Sequence, residues 1–168
     1  MSAGELDAAI VVEPQFVVPK NCDWHALTEE PLVVVAHATM AGRDPHELLA
    51  QEPFIRYDRQ ALGGQLADRY LRDHGIRPRQ RLEIDSLLAI AALVDRGLGV
   101  ALVPDWAPPW PAGLALARIS LPTPVVGRRI GIVWSRATVH TRLVNLLLAE
   151  SEAAMADAER RRDRATAG

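Results

Sequence analysis

Cysteine is nearly missing from this 168-residue chain, and Cys22 is the only one. An intrachain disulfide is therefore impossible, and the usage fits a reducing, cytoplasmic compartment. Lysine is just as scarce. Lys20 stands alone among nineteen basic residues, so every other one is arginine; the bias reads as the base composition of a GC-rich genome and not as chemistry. The aromatic residues are two Phe, two Tyr and four Trp, so a core must be built from Leu, Val, Ala and Ile. The formal net charge is −2, which gives no global pull toward nucleic acid or an anionic membrane. No apolar run approaches the ~18 residues of a membrane helix. The first residues carry Glu5 and Asp7 inside their apolar part and have no basic start, so they do not read as a secretory leader.

What is present is a strong α/β pattern. The length allows one domain or two small lobes, and 49% of the residues are hydrophobic, enough for a real core. The segment DSLLAIAALVDRGLGVALVP, Asp85 to Pro104, reads as a helix, a turn and a strand. Leu87, Ile90, Ala91 and Val94 recur at the helical period and share one face. Asp85 or Ser86 can cap the orphan N–H groups. Gly97 falls where a helix needs a left-handed residue, with Leu98 as the apolar residue of a Schellman end. Val100–Val103 is a short apolar run, as expected of a strand covered on both faces, and Pro104 ends it.

Further strand-like runs are Asp7–Val12, Leu32–Ala36, Phe54–Tyr57, Arg81–Ile84, Leu114–Ile119 and Arg128–Trp134. Helical patterns lie at Pro45–Gln51, Gly64–His74, Ser86–Arg96 and Thr138–Asp157. The alternation through the middle predicts parallel βα units. Asp7–Val12 is apolar enough to read as an interior strand of a parallel sheet. The Pro- and Trp-rich stretch Pro104–Pro111 reads as a rigid connection. The terminal ERRRDRATAG suits a solvated, fraying helix end, with a nucleic-acid-binding tail as the less economical alternative.

Several stretches, in order, resemble the effector-binding domain of LysR-type transcriptional regulators: GELDAAIV, LTEEPLVVVAHATM, LAQEPFIRYD, HGIRPRQRLEIDS, LVDRGLGVALVP and RRIGIVWSR. Each is weak alone, but their joint order over about residues 4 to 150 is specific. The resemblance implies an α/β fold like the type 2 periplasmic binding proteins, with two lobes joined by two crossover strands and a small effector in the cleft. Residues 1–35 and 123–157 would form the first lobe, 36–122 the second, and 158–168 a frayed tail. The family's N-terminal helix-turn-helix and first βαβ elements have no counterpart, so the first lobe is expected to be incomplete and the chain to make no direct DNA contact.

The best candidate site is the loop after Phe54–Tyr57. Tyr57, Asp58, Arg59 and Gln60 lead to Gly63 and Gly64 at the start of a helix. Glycines let a backbone approach a ligand closely, and helix-start N–H groups favour an anion; with equal weight, the glycines simply make the turn. Asp85 and Ser86 stand at a second helix start, where capping is the plainer reading. The resemblance implies that both loops face a small organic effector, a carboxylate among the candidates. Leu66, Tyr70 and Leu71 would then belong to a homodimer contact, unless they face their own sheet.

No cofactor or metal is expected. Cys22 and His25 have a C-x-x-H spacing, but zinc needs about four ligands and no second pair exists. His37, His46, His74 and His140 show no ligand spacing, and no Walker loop or G-x-S-x-G elbow occurs. Trp106, Trp110 and Trp134 read as packing anchors more than as an aromatic pocket. The leading expectation is thus an effector sensor and not an enzyme. A stand-alone solute-binding protein of the same fold, or an inert fragment of a regulator, is the alternative.

Overall fold

Leu32–Ala36 is buried along its whole length, with every residue at 5% exposure or less. It belongs to strand β3 (Leu32–His37). Strand geometry sends alternate side chains to opposite faces, and two apolar clusters follow from that alternation. Leu32, Val34 and Ala36 join Leu48, Leu49 and Phe54 in one cluster, while Val33 and Val35 join Ile55, Ile90 and Val94 in the other. Fully burying each of the larger side chains contributes roughly 1.5–3 kcal/mol.

The structure is a computed structural model. It describes residues 6–106, 110–111, 113–123 and 125–166, with residue 159 and residues 161–166 described in backbone only. Residues 107–109 of the expected Pro-rich connection lie outside that description, as do residues 1–5. The chain divides into two units. Unit 1 holds residues 1–30 and 129–168, and unit 2 holds Pro31–Arg128. The chain thus passes between them twice, at Glu30–Pro31 and Arg128–Arg129. The first passage comes before the expected boundary at Val35, because β3 pairs only with strands of unit 2.

In unit 2, β6 (Ala101–Pro104) and β7 (Leu116–Ser120) flank β3, both antiparallel to it. Strand β4 (Pro53–Tyr57) runs parallel to β5 (Arg79–Ile84). A parallel bridge from Phe54 to Val100 joins β4 to the residue before β6. There Ile55 N–H donates to Val100 O at 2.9 Å, and Val100 N–H to Pro53 O at 2.8 Å. The layer therefore reads β5-β4-β6-β3-β7. The predicted parallel βα units hold for β4, β5 and β6, and β3 is the strand that runs against the others. Helices α1 (Pro45–Gln51) and α2 (Leu62–Asp73) cover the first cluster, and α3 (Leu87–Asp95) the second. Tyr70 and Leu71 are buried and Leu66 packs against the same cluster, so these three residues of α2 face their own sheet, contrary to the dimer-contact expectation.

Unit 1 is a three-stranded sheet in the order β1-β8-β2, made of β1 (Ala8–Val12), β8 (Arg128–Ser135) and β2 (Cys22–Glu30). Here the sequence pattern misleads twice. Among the described residues β1 is an edge strand, antiparallel to β8 with Ile10 opposite Ile132; Ile10 is 57% exposed. β2 has no apolar run to announce it, since Asp23, His25, Thr28 and Glu29 interrupt its apolar residues. Helix α4 (Thr141–Thr166) packs on β2 and continues past Asp157, so the expected frayed tail is helical to Thr166. Polar ties hold α4 to the sheet: Thr138 Oγ1 donates to Asp7 at 2.5 Å, His140 Nδ1 lies 2.9 Å from the same carboxylate, and His25 Nε2 lies 2.8 Å from Glu152.

The end of α3 follows the sequence closely. Ser86 caps its start, accepting from Ala89 N–H. At its end Leu98 N–H donates to Leu93 O and Gly97 N–H to Val94 O, the two bonds of a Schellman motif. Gly97 has φ +71° and open space around it. Gly97→Val is therefore expected to destabilise the fold by about 1–2 kcal/mol through backbone conformation alone, lowering the urea midpoint; an unchanged midpoint would contradict the left-handed assignment. The bond from Thr138, and then that with His140, hold the Asp7 carboxyl below its ordinary value. A depressed carboxyl contributes stability above its unfolded value and loses it as pH falls through the folded one. Asp7→Asn is expected to flatten the acid limb of stability below about pH 4, as followed by circular dichroism.

Candidate functional site

β4 and β5 are adjacent and parallel, so their carboxyl ends open on one edge of unit 2. Tyr57 stands opposite Ile84 in register. One further ladder bond follows, from Asp58 N–H to Ile84 O at 3.0 Å. Beyond it the chain turns sharply into α2. Asp58 Oδ1 accepts from Gln60 N–H at 2.9 Å, and Asp58 O from Ala61 N–H at 3.1 Å. An Asp in this position bonds its own backbone two residues on, which stabilises the turn. No side chain caps the start of α2.

The two glycines of the turn are buried, and what approaches them is the protein itself. A Cβ on Gly64 would overlap the Asp58 carbonyl, and one on Gly63 would press on Pro104 Cγ and Tyr57. Their lack of a side chain lets α2 start directly against the ends of β4 and β6. Tyr57 is buried and packs in the second apolar cluster.

A cavity of about 270 Å³ lies at this edge, lined by Asp58, Glu83, Ile84 and Asp85. Three of these four residues are carboxylates. The guanidinium closest in sequence is already engaged: Arg59 Nη2 donates to Gln80 Oε1 at 2.9 Å, and its Nε lies 3.5 Å from Asp68 and 3.8 Å from Glu83. Arg56 pairs with Asp68 and donates to Gln80 at 2.8 Å. Burial, and then the charge of Arg59, hold the Arg56 guanidinium below its ordinary value; the Asp68 partner compensates it as a cation. Asp85 is exposed and makes no hydrogen bond to another described residue. The Ser86 hydroxyl is occupied in capping α3.

The structure thus gathers Asp58, Arg59, Gln60, Asp85 and Ser86 at one edge of the sheet, with Tyr57, Gly63 and Gly64 as the packing beneath. Sequence reasoning missed Glu83, Gln80 and Asp68. No local signal marks them, because β5 and α2 bring them to Arg56 and Arg59 from elsewhere in the chain. Trp106 and Trp110 stack at 3.6 Å and pack against the second cluster, with Arg118 over Trp110 at 5.5 Å and bonded to the buried Asp105 at 3.1 Å. They are anchors, as expected. A larger cavity of about 420 Å³ in unit 1 is lined almost wholly by apolar residues such as Val11, Phe16, Val18 and Val133. It lacks converging charged groups, so the strand-end cavity is the better candidate despite its smaller volume.

Residues 1–156 match the family profile described as the LysR substrate binding domain. The chain is 29% identical over 136 residues to the HTH-type transcriptional regulator YfeR of Shigella flexneri, covering 77% of this chain and 42% of that protein. The LysR family regulator HinK from Pseudomonas aeruginosa superposes with a TM-score of 0.73 at 17% identity, over 92% of this chain and 54% of HinK. The CcmR regulatory domain of Synechocystis PCC6803, solved in complex with 2-PG, gives 0.68 at 22% identity, over 92% of this chain and 76% of that one. The chain therefore spans about half the length, or less, of the full regulators it matches.

Gly64→Ala tests the geometry of the turn. Overlap with the Asp58 carbonyl is expected to cost roughly 1–3 kcal/mol, seen as a lowered denaturation midpoint; a neutral Gly64→Ala would mean that α2 starts elsewhere.

Proposed function

This chain belongs to the LysR substrate binding domain family, and we propose that it is the effector-sensing part of a LysR-type transcriptional regulator, with Asp58, Arg59, Gln60, Asp85 and Ser86 touching a small organic effector and Tyr57, Gly63 and Gly64 shaping the floor. One observation carries the site: the carboxyl ends of the parallel β4 and β5 frame a cavity between the starts of α2 and α3. Open α/β sheets bind ligands at that edge, where a few polar groups converge.

The lining bears on the effector's chemistry. A carboxylate here meets Asp58, Glu83 and Asp85 as like charges, and its favourable contacts are Arg59 and the uncapped start of α2. An effector presenting an ammonium group or hydrogen-bond donors to this edge meets no such repulsion. Binding acts through a difference in affinity between conformations of the chain, without turnover. Output passes through a cytoplasmic homodimer, and DNA is contacted by residues other than these: among the described residues no two α-helices follow one another without an intervening strand, so none forms a helix-turn-helix.

A thermal-shift panel of paired organic acids and amines tests this. At a hundredfold excess over Kd a bound effector stabilises by about 2.7 kcal/mol, a rise of roughly 5–10 °C for a chain this size. Asp85→Asn, which removes an exposed charge without a partner, is expected to reduce the rise for an amine and to increase it for an acid. No rise with either class, or the same rise in Asp85→Asn, would overturn the assignment.

A further inference from the structure

On the opposite side of unit 2 from the second cluster, Tyr70 of α2 meets two histidines. Its side chain is buried at 2% exposure. His46 of α1 reaches it with Nε2 at 2.7 Å from the hydroxyl. His74, just past the end of α2, stacks on the phenol ring with centroids 4.0 Å apart and places Nδ1 3.0 Å from the Tyr70 carbonyl. The two imidazole centroids are 5.2 Å apart.

These contacts determine where the protons lie. A carbonyl only accepts, so His74 Nδ1 carries a proton. The Tyr70 hydroxyl makes no other hydrogen bond among the described residues, and a buried hydroxyl without an acceptor is costly. The arrangement that satisfies it has the hydroxyl donating to an unprotonated His46 Nε2. Burial, and then the nearby Asp44 carboxylate, raise the phenol above its ordinary value, so it remains a donor.

We propose that His46, Tyr70 and His74 form an acid-sensitive clasp between α1 and α2. Protonating His46 turns Nε2 into a donor and strands the Tyr70 hydroxyl proton. Protonating both histidines also places two cations side by side. The surrounding charges are few. Asp44, the cap of α1, acts on Tyr70, and its Oδ1 accepts from Glu47 N–H at 2.9 Å. Arg43 is paired with Glu52 at 2.7 Å, and Arg69 with Asp73 at 3.7 Å. The strands beneath present Phe54, Val100 and Leu102, which are apolar. The clasp is closed while His46 Nε2 is bare, and acid that protonates it opens the clasp. The helix it ties to α1 is the one whose first turn abuts Asp58, which gives unit 2 an acid-dependent input separate from the effector.

Histidine-ring nitrogen NMR on the full chain at pH 7.5 tests the proton positions: His46 Nε2 is expected bare and His74 Nδ1 protonated. Melting at pH 7.5 and 5.5 tests the consequence. Tyr70→Phe keeps the ring and removes the hydroxyl, and His46→Gln keeps an acceptor that does not titrate. The natural chain is expected to lose about 2–4 °C more on acidification than either variant. If Tyr70→Phe fails to fold, His46→Gln carries the comparison. A protonated Nε2 at His46, or the same acid loss in the natural chain and the folded variants, overturns the clasp.

Discussion

Unit 2 depends on a strand with no free side. β3 is hydrogen-bonded along both edges, to β6 and to β7, and its two faces feed separate apolar clusters. A backbone sealed in this way cannot turn to water for its polar groups, so its ladder must be complete. A shift of one residue in register would exchange the side chains at Val33 and Val35 with those at Val34 and Ala36 and mismatch the packing of both clusters. The positions of β4, β5, α2 and α3 follow from that register. The same seal reaches the chain's first passage between units, where Asp105 N–H donates to Pro31 O at 2.7 Å, just beyond the last pair of the β3–β6 ladder.

The candidate site inherits its shape from this core. Because β4 joins β6 through Phe54 and Val100, the ends of β4 and β6 lie close enough for a single helix start to meet both. Gly63 and Gly64 are the residues that allow the approach, one against Pro104 and the other against the Asp58 carbonyl. The charged groups above them compensate one another in part. Arg56 and Arg59 converge on Asp68 and Gln80, which leaves Asp58 and Asp85 to set the sign of the rim. Helix-start dipoles favour an anion at the same place, so the site presents opposing preferences within a few ångströms. An effector that satisfies both has separated charges or hydrogen-bond donors.

How much of this was legible in the chain differs between the two units. In unit 2 the strands at Leu32, Phe54, Arg81 and Val100, the helices between them, and the Gly97 helix end were readable, because periodicity, capping residues and glycine position all agreed. In unit 1 β2 was invisible and the edge position of β1 was misread. β2 mixes charged and apolar residues without a steady period. β1 is apolar along its whole length, and that composition does not distinguish a central strand from an edge. The candidate site was legible as a location, since the glycines at the start of α2 and the cap at Ser86 have local signatures. Its electrostatics were not, since Glu83 and Asp68 arrive through pairing and helix packing.

The sequence by itself determined the order of the elements of unit 2, the family, and the residues that bend the chain: local preferences of glycine, proline, serine and β-branched side chains act over a few residues and need no partner. Only the tertiary structure decided which strand ran against its neighbours, which glycines were spared a side chain for the sake of the protein's own backbone, and which carboxylates met at the rim. Those outcomes depend on contacts between residues far apart in the chain, and such contacts exist only once the sheet has chosen its register.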